Sequence, residues 1–282
     1  MDRSSLGRHA VPLLLIVASL CAHVPAVQAG AWSQQKGHYY AKFSGIFYSA
    51  DEVYNDMGKR QSMGAEDDEF TGKQGFLYLE YGLMDRLTLI GQASGGRLAS
   101  TNRLVRQRTR GIGDVDIGVK YQLTDGPIVL SPFVTLKVPT GYHEDYAPPL
   151  GTGEVDLEFR LLAAKSLYPL PLYIGVESGY RIRGGPYSNQ IPYFVEVGGT
   201  PHKSVFVKGY VEGKDTRVAS VEDLGLVGGS VTVSEGDFAK MGINGAYNVT
   251  GPLWIDLLLE RAFRGENIGA GASWGLGISY SY

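Results

Sequence analysis

Cysteine is nearly absent: the 282 residues contain one, Cys21, and it lies in a segment that reads as removable. Arg3 and Arg8 form a positive n-region, residues 11–20 an apolar h-region, and Val27-Gln28-Ala29 a small-x-small cleavage site. That pattern predicts a signal peptide over 1–29 and a mature chain over 30–282. A lipid anchor on Cys21 would call for a small residue before it, and Leu20 fits that poorly. Without Cys21 the mature chain has no thiol. Disulfides, thiolate catalysis and thiolate metal sites are then excluded.

Long hydrophobic runs are also missing. The h-region is too short to span a bilayer as a helix, and no later run approaches the roughly 20 apolar residues such a helix needs. An inner-membrane helical protein is therefore excluded. A mean hydropathy of −0.08 resembles that of a soluble protein. Transmembrane barrels escape this test, because only every second residue of each strand meets lipid.

Histidine and excess charge are scarce too. Of five histidines only His38, His143 and His202 survive signal removal, and none has neighbours at metal-ligand or serine–histidine spacing. Losing Asp2, Arg3 and Arg8 leaves a net charge of about −4, which favours no nucleic-acid partner. Gly111-Ile112-Gly113 resembles the start of a dinucleotide fingerprint, but no helical pattern follows it. No cofactor, metal or catalytic set is expected. The one place for a barrel hydrolase is His143-Glu144-Asp145, and a polar solvated loop accounts for those residues as well.

What is present is alternation. The final segment places Trp274, Leu276, Ile278, Tyr280 and Tyr282 against Ser273, Gly275, Gly277, Ser279 and Ser281. Such a strand has one face for lipid and one for a wet interior. The first runs Tyr39, Ala41, Phe43, Gly45 and Phe47 against Tyr40, Lys42 and Ser44. Leu77, Leu79, Tyr81 and Leu83 alternate in the second, and Leu87, Leu89 and Ala93 in the third. Val115, Ile117, Val119, Tyr121 and Leu123 face outward in the fourth. Leu130, Val134, Leu136 and Val138 do so in the fifth, where Pro132 predicts a bulge or local irregularity. Val155, Leu157, Phe159 and Leu161 alternate with Glu154, Asp156, Glu158 and Arg160 in the sixth.

Six more segments, around 172–183, 192–199, 204–212, 238–249, 253–263 and 272–282, bring the count to twelve. The predicted fold is all-β: a single antiparallel transmembrane β-barrel. An even count returns both ends to the periplasm. Links after even strands are short (84–85, 124–127, 166–171, 200–203, 250–252). Most links after odd strands are long (50–73, 95–110, 139–153, 213–237). Short periplasmic turns and long outer loops are the asymmetry of bacterial outer-membrane barrels. An extra hairpin over 218–234 would make fourteen. Tyr39, Tyr81, Tyr121, Tyr247 and Tyr280 fall at the periplasmic rim, and Phe47, Tyr180, Tyr193 and Trp274 at the outer rim, as two aromatic girdles.

Two charged sets stand out. Asp114, Asp116, Lys120, Lys137, Glu154, Asp156, Glu158 and Arg160 face inward on three adjacent strands, most of them in the outer half of the lumen. They are candidates for a solute path, or for an ion-paired filling. Among the outer loops the first is acidic, with Asp51, Glu52, Asp56, Glu66, Asp67, Asp68 and Glu69. The second is basic, with Arg97, Arg103, Arg106, Arg108 and Arg110. Arg103, Arg106, Arg108 and Arg110 are candidates to bind lipopolysaccharide phosphate or to draw in anionic solutes; a solvated loop balanced by its acidic neighbour is the alternative.

An ordered series of motifs crosses the middle third. It runs Glu80-Tyr81-Gly82-Leu83-Met84-Asp85-Arg86-Leu87, Gly111-Ile112-Gly113-Asp114, Lys120-Tyr121-Gln122-Leu123, Lys137-Val138-Pro139-Thr140-Gly141, and Leu150-Gly151-Thr152-Gly153 with Asp156. The series resembles the outer-membrane family named for the meta-pathway of phenol degradation. The resemblance implies a barrel associated with uptake of aromatic or other hydrophobic compounds, with no catalytic residues to carry over. The expectation is a Gram-negative outer-membrane channel or passive transporter for small molecules, in contact with outer-membrane lipids and lipopolysaccharide. The alternative is a closed barrel that binds lipopolysaccharide or a partner through its loops.

Overall fold

The computed structural model describes residues 30–63, 68–101, 105–143, 146–217 and 236–282. Its strands are β1 (Tyr39–Ala50), β2 (Glu52–Tyr54), β3 (Arg60–Ser62), β4 (Glu69–Met84), β5 (Leu87–Thr101), β6 (Arg106–Tyr121), β7 (Val129–Val138), β8 (Asp156–Ser166), β9 (Leu172–Ile182), β10 (Asn189–His202), β11 (Val205–Arg217), β12 (Asp237–Thr250), β13 (Leu253–Glu266), β14 (Ile268–Gly269) and β15 (Ala272–Ser281). Twelve of them form a closed antiparallel barrel, and β14, β2 and β3 form a small separate sheet joining the first and last outer loops.

Closure occurs where alternation predicts it. β1 pairs with β15 from Tyr40↔Ser281 to Ser49↔Ala272. The last strand therefore leaves no unpaired edge for lipid, which cannot satisfy backbone polar groups. Outward positions carry exposed apolar side chains along whole strands, among them Leu77, Leu79 and Tyr81 on β4, and Ile255, Leu257 and Leu259 on β13. Exposed apolar surface on this scale has no place in water. At the periplasmic end Tyr39 stacks between Tyr280 and Tyr282, and at the other Phe47 stacks on Trp274 at 4.3 Å. A closed barrel with an apolar outer band and aromatic flanks is a Gram-negative outer-membrane structure.

Two expectations change. Pro132 makes no bulge: the β7–β8 ladder runs in register through it, and the β6–β7 ladder stops at Phe133, where the missing N–H is not needed. The link over 95–110 is mostly strand, because β5 continues to Thr101 and β6 begins at Arg106. The bulge lies instead on β6. Ala93 pairs with Val115 but Gly95 with Ile112, so Gly113 and Asp114 together oppose Ser94. The suggested extra hairpin over 218–234 lies outside the described residues, and the barrel closes at twelve strands without it.

Candidate functional site

The lumen is furnished from two directions. At the periplasmic end residues 30–36 run inside the barrel rather than away from it. Ala31 is 2% exposed and packs with Val129, Leu162 and Ala164, beside Trp32, Phe133 and Tyr173. Phe206, Ala246 and Trp254 continue this packing through Tyr173. A twelve-stranded barrel is wider than the eight-stranded kind that side chains fill, and apolar packing at its mouth narrows it.

Polar contacts hold the segment in place. Lys120 Nζ donates to the Gly30 carbonyl at 2.6 Å and Ser131 Oγ to the Ala31 carbonyl at 2.5 Å. The Ser33 N–H and hydroxyl both donate to Gln122 Oε1, at 2.9 and 3.0 Å. The Gln34 N–H reaches Thr88 Oγ1 at 2.8 Å, and its amide reaches Glu80 Oε2 at 2.8 Å. Gly82 must be glycine: a Cβ there would sit 1.9 Å from the Gln35 carbonyl oxygen. No local sequence signal announces this arrangement, because residues 30–36 show neither alternation nor helical period.

At the outer end the loop over 139–153 folds onto the lumen wall. Tyr142 Oη donates to Asp114 Oδ1 at 2.6 Å and accepts from the Gly153 N–H at 2.8 Å. Burial and the bond to Asp114 hold the Tyr142 phenol above its usual pKa. Lys137 Nζ lies 3.2 Å from Asp114 Oδ2 and 2.9 Å from Asp156 Oδ2, and donates to Thr152. A Cβ at Gly151 would strike both the Tyr142 hydroxyl and the Asp114 carboxylate, and one at Gly111 would strike Leu150. The motifs that carry the family resemblance thus meet in space. The motifs at 80–87 and 120–123 fasten residues 30–36, and those at 111–114, 137–141 and 150–156 fasten the loop at the outer end.

The eight inward candidates divide accordingly, instead of forming one cluster in the outer half. Asp114, Lys137 and Asp156 make the outer triad, with Arg183 Nε 3.9 Å from Asp156. Glu158 pairs with Arg160 and Arg181, and Arg160 reaches Glu177 at 3.3 Å. Glu177 in turn lies against Gly30. Lys120, 1% exposed and 3.8 Å from Glu80, belongs to the periplasmic closure. Glu154 precedes β8 and packs against the turn at Gly184 and Gly185. Asp116 alone of the eight faces the lumen as a strand residue without an ion pair or hydrogen bond among the described residues.

Sequence reasoning missed the opposite wall. There Lys42 pairs with Asp256 at 2.9 Å, Lys208 with Glu196 at 3.0 Å, and Lys240 with Glu260 at 3.3 Å. Aromatic rings stand between them: Phe194 stacks on Tyr210, and Lys208 lies over both rings at 5.5 and 5.6 Å. Tyr40 packs edge-on against Tyr78. Alternation marked Lys42 as inward but could not pair it with Asp256. The lumen wall is a lattice of matched charges and aromatic faces.

The basic candidates lie elsewhere. Arg106, Arg108 and Arg110 are exposed on β6 beyond the bulge, in phase with Ile112, which is 61% exposed on the outer surface. Arg103 lies outside the described residues. Of the hydrolase candidate only His143 is described, its ring 5.6 Å from that of Tyr146.

Solved structures share this architecture. The chain is similar to the COG4313 outer membrane channel from Pseudomonas putida F1, with a TM-score of 0.68 at 19% identity, covering 91% of this chain and 100% of that one. It is also similar to the NanC porin, at TM-score 0.55 and 8% identity, covering 85% and 98% of the two chains. A third is the KdgM porin in complex with disordered oligogalacturonate, at TM-score 0.53 and 8% identity, covering 86% and 99%. No family model and no curated protein matches the chain. At these identities the likeness concerns the fold.

Proposed function

We propose that this chain is a passive outer-membrane channel for small molecules, aromatic or hydrophobic compounds among them, exported by a signal peptide over 1–29. The observation that carries the reading is the lumen: ion pairs on both walls alternate with inward aromatic rings, a lining suited to flat solutes of mixed polarity. Solved barrels that resemble the chain include channels and porins, which supports transport without specifying a solute. The motif series adds the phenol meta-pathway family to the reading, and with it aromatic uptake rather than catalysis.

Residues 30–36 supply the control. Their packing narrows the mouth, so on this reading flux depends on how firmly they stay docked. Reconstitution in liposomes tests the proposal: small ions and a phenol-sized solute should pass, and protein that passes neither refutes it. The same packing supports a second reading, a closed barrel acting through its outer surface. That reading requires the conductance to remain zero when the docking of residues 30–36 is weakened.

A further inference from the structure

The bulge at Gly113 and Asp114 reverses the phase of β6. Below it the odd residues Val115, Ile117, Val119 and Tyr121 face outward; above it the even residues Ile112, Arg110, Arg108 and Arg106 do. An uninterrupted strand would have placed these arginines in the lumen with Asp114 and Asp116. The bulge delivers them to the lipid side. They meet further cations there, since Lys73 pairs in register with Arg97 and Arg97 with Arg110.

Like charges directly opposite one another across strands are unfavourable. Two such pairs in succession call for an anion, and among the described residues no carboxylate forms an ion pair with Lys73, Arg97, Arg108 or Arg110. These four side chains, with Gly96 and Thr109, line an open depression of about 450 Å³. On one flank Lys73 lies 5.9 Å from the Phe47 ring, which stacks on Trp274. Down the same face of the wall come Ile112, Ile117 and Val119, all exposed. Cations above and apolar side chains below match an amphiphile with phosphate at its head and acyl chains beneath.

We infer that Lys73, Arg97, Arg108 and Arg110 form a lipid-facing site for the phosphorylated headgroup of lipopolysaccharide. The long-loop end of the barrel lies in the outer leaflet, and guanidinium forks grip phosphate bidentately. The site stands apart from the solute path, because it lies on the outside of the wall.

The test is binding of fluorescent lipid A to the purified full barrel in neutral detergent. Bis-phosphorylated lipid A should bind, and R97Q/R108Q/R110Q should weaken it at least about tenfold, given the strength of hydrogen bonds to charged groups. R97K/R108K/R110K, which keeps the charge but loses the bidentate fork, should fall between the wild type and the glutamine variant. R108Q alone, the milder variant should the triple one fail to fold, should lose about threefold. Equal affinity in the wild type and the glutamine variants would overturn the assignment. So would equal binding of dephosphorylated lipid A or phosphatidylglycerol, or displacement by millimolar inorganic phosphate alone.

Discussion

Weakening the contacts of residues 33 and 34 should open the channel by an amount that can be worked out. Thr88→Val with Gln122→Met keeps side-chain volume but deletes the acceptors for three donors, the Gln34 N–H, the Ser33 N–H and the Ser33 hydroxyl. At about 1 kcal/mol net for each bond, docking loses about 3 kcal/mol. That multiplies the undocked population by roughly a hundredfold, at tenfold per 1.4 kcal/mol. Thr88→Val alone removes one bond and should give about fivefold. Gln122 also donates to Thr124 and Asp125 in the adjoining turn, so the single variant serves as the control for turn damage.

Two assays read the change. Ala31→Cys, in a chain with Cys21→Ser, places a thiol where the side chain is 2% exposed. Its maleimide labelling rate should rise with the undocked population, by about fivefold and then about a hundredfold. Single-channel conductance should shift to larger or more frequent openings in the same order. Labelling and conductance both unchanged in the double variant, with strand circular dichroism intact, would refute the view that these bonds hold the closure.

Other perturbations probe the outer half. Lys137→Met leaves Asp114 and Asp156 without their shared cation and should cost about 2 kcal/mol of unfolding free energy, less than for a fully dry pair because the lumen is wet; adding Asp156→Asn should recover part of it in a denaturant titration. Asp116→Asn removes an unpaired lumen carboxylate, so reversal potentials under a salt gradient should move toward lower cation preference while stability stays within about 0.5 kcal/mol. Tyr142→Phe should loosen the 139–153 loop by about 1 kcal/mol, seen as faster proteolysis of that loop. Because folding raises the Tyr142 pKa, its contribution is fully present below pH 10 and is lost as pH climbs through the raised value. Loop protection in the wild type should therefore hold through neutral pH and fail only in strong alkali.

Alternation over nine to thirteen residues was enough to number the strands, orient their faces and place Tyr39 beside Tyr81 and Tyr280, because side-chain direction is a local property of extended chain. Alternation gave no facing for Arg106, Arg108 and Arg110, which were read as part of an outer loop. They stand on strand, and one extra residue at the Gly113–Asp114 bulge sets their face outward, which only the pairing of β5 with β6 reveals. Charge pairing was illegible for a related reason. Asp114, Lys137 and Asp156 lie on consecutive barrel strands and could be grouped from sequence, whereas Lys42 meets Asp256 across the seam where the chain's two ends join.

The sequence alone determined that this is a twelve-stranded barrel of the outer membrane, since two-residue periodicity, strand length and turn spacing are set by bilayer thickness and backbone geometry. Only the tertiary structure decided what the barrel contains. Residues 30–36 are bound by groups some 90 to 100 positions away, such as Lys120 and Ser131. Contacts of that separation leave no periodic trace in the chain; they exist because closing the barrel brings residues 30–36 to the mouth of its own lumen.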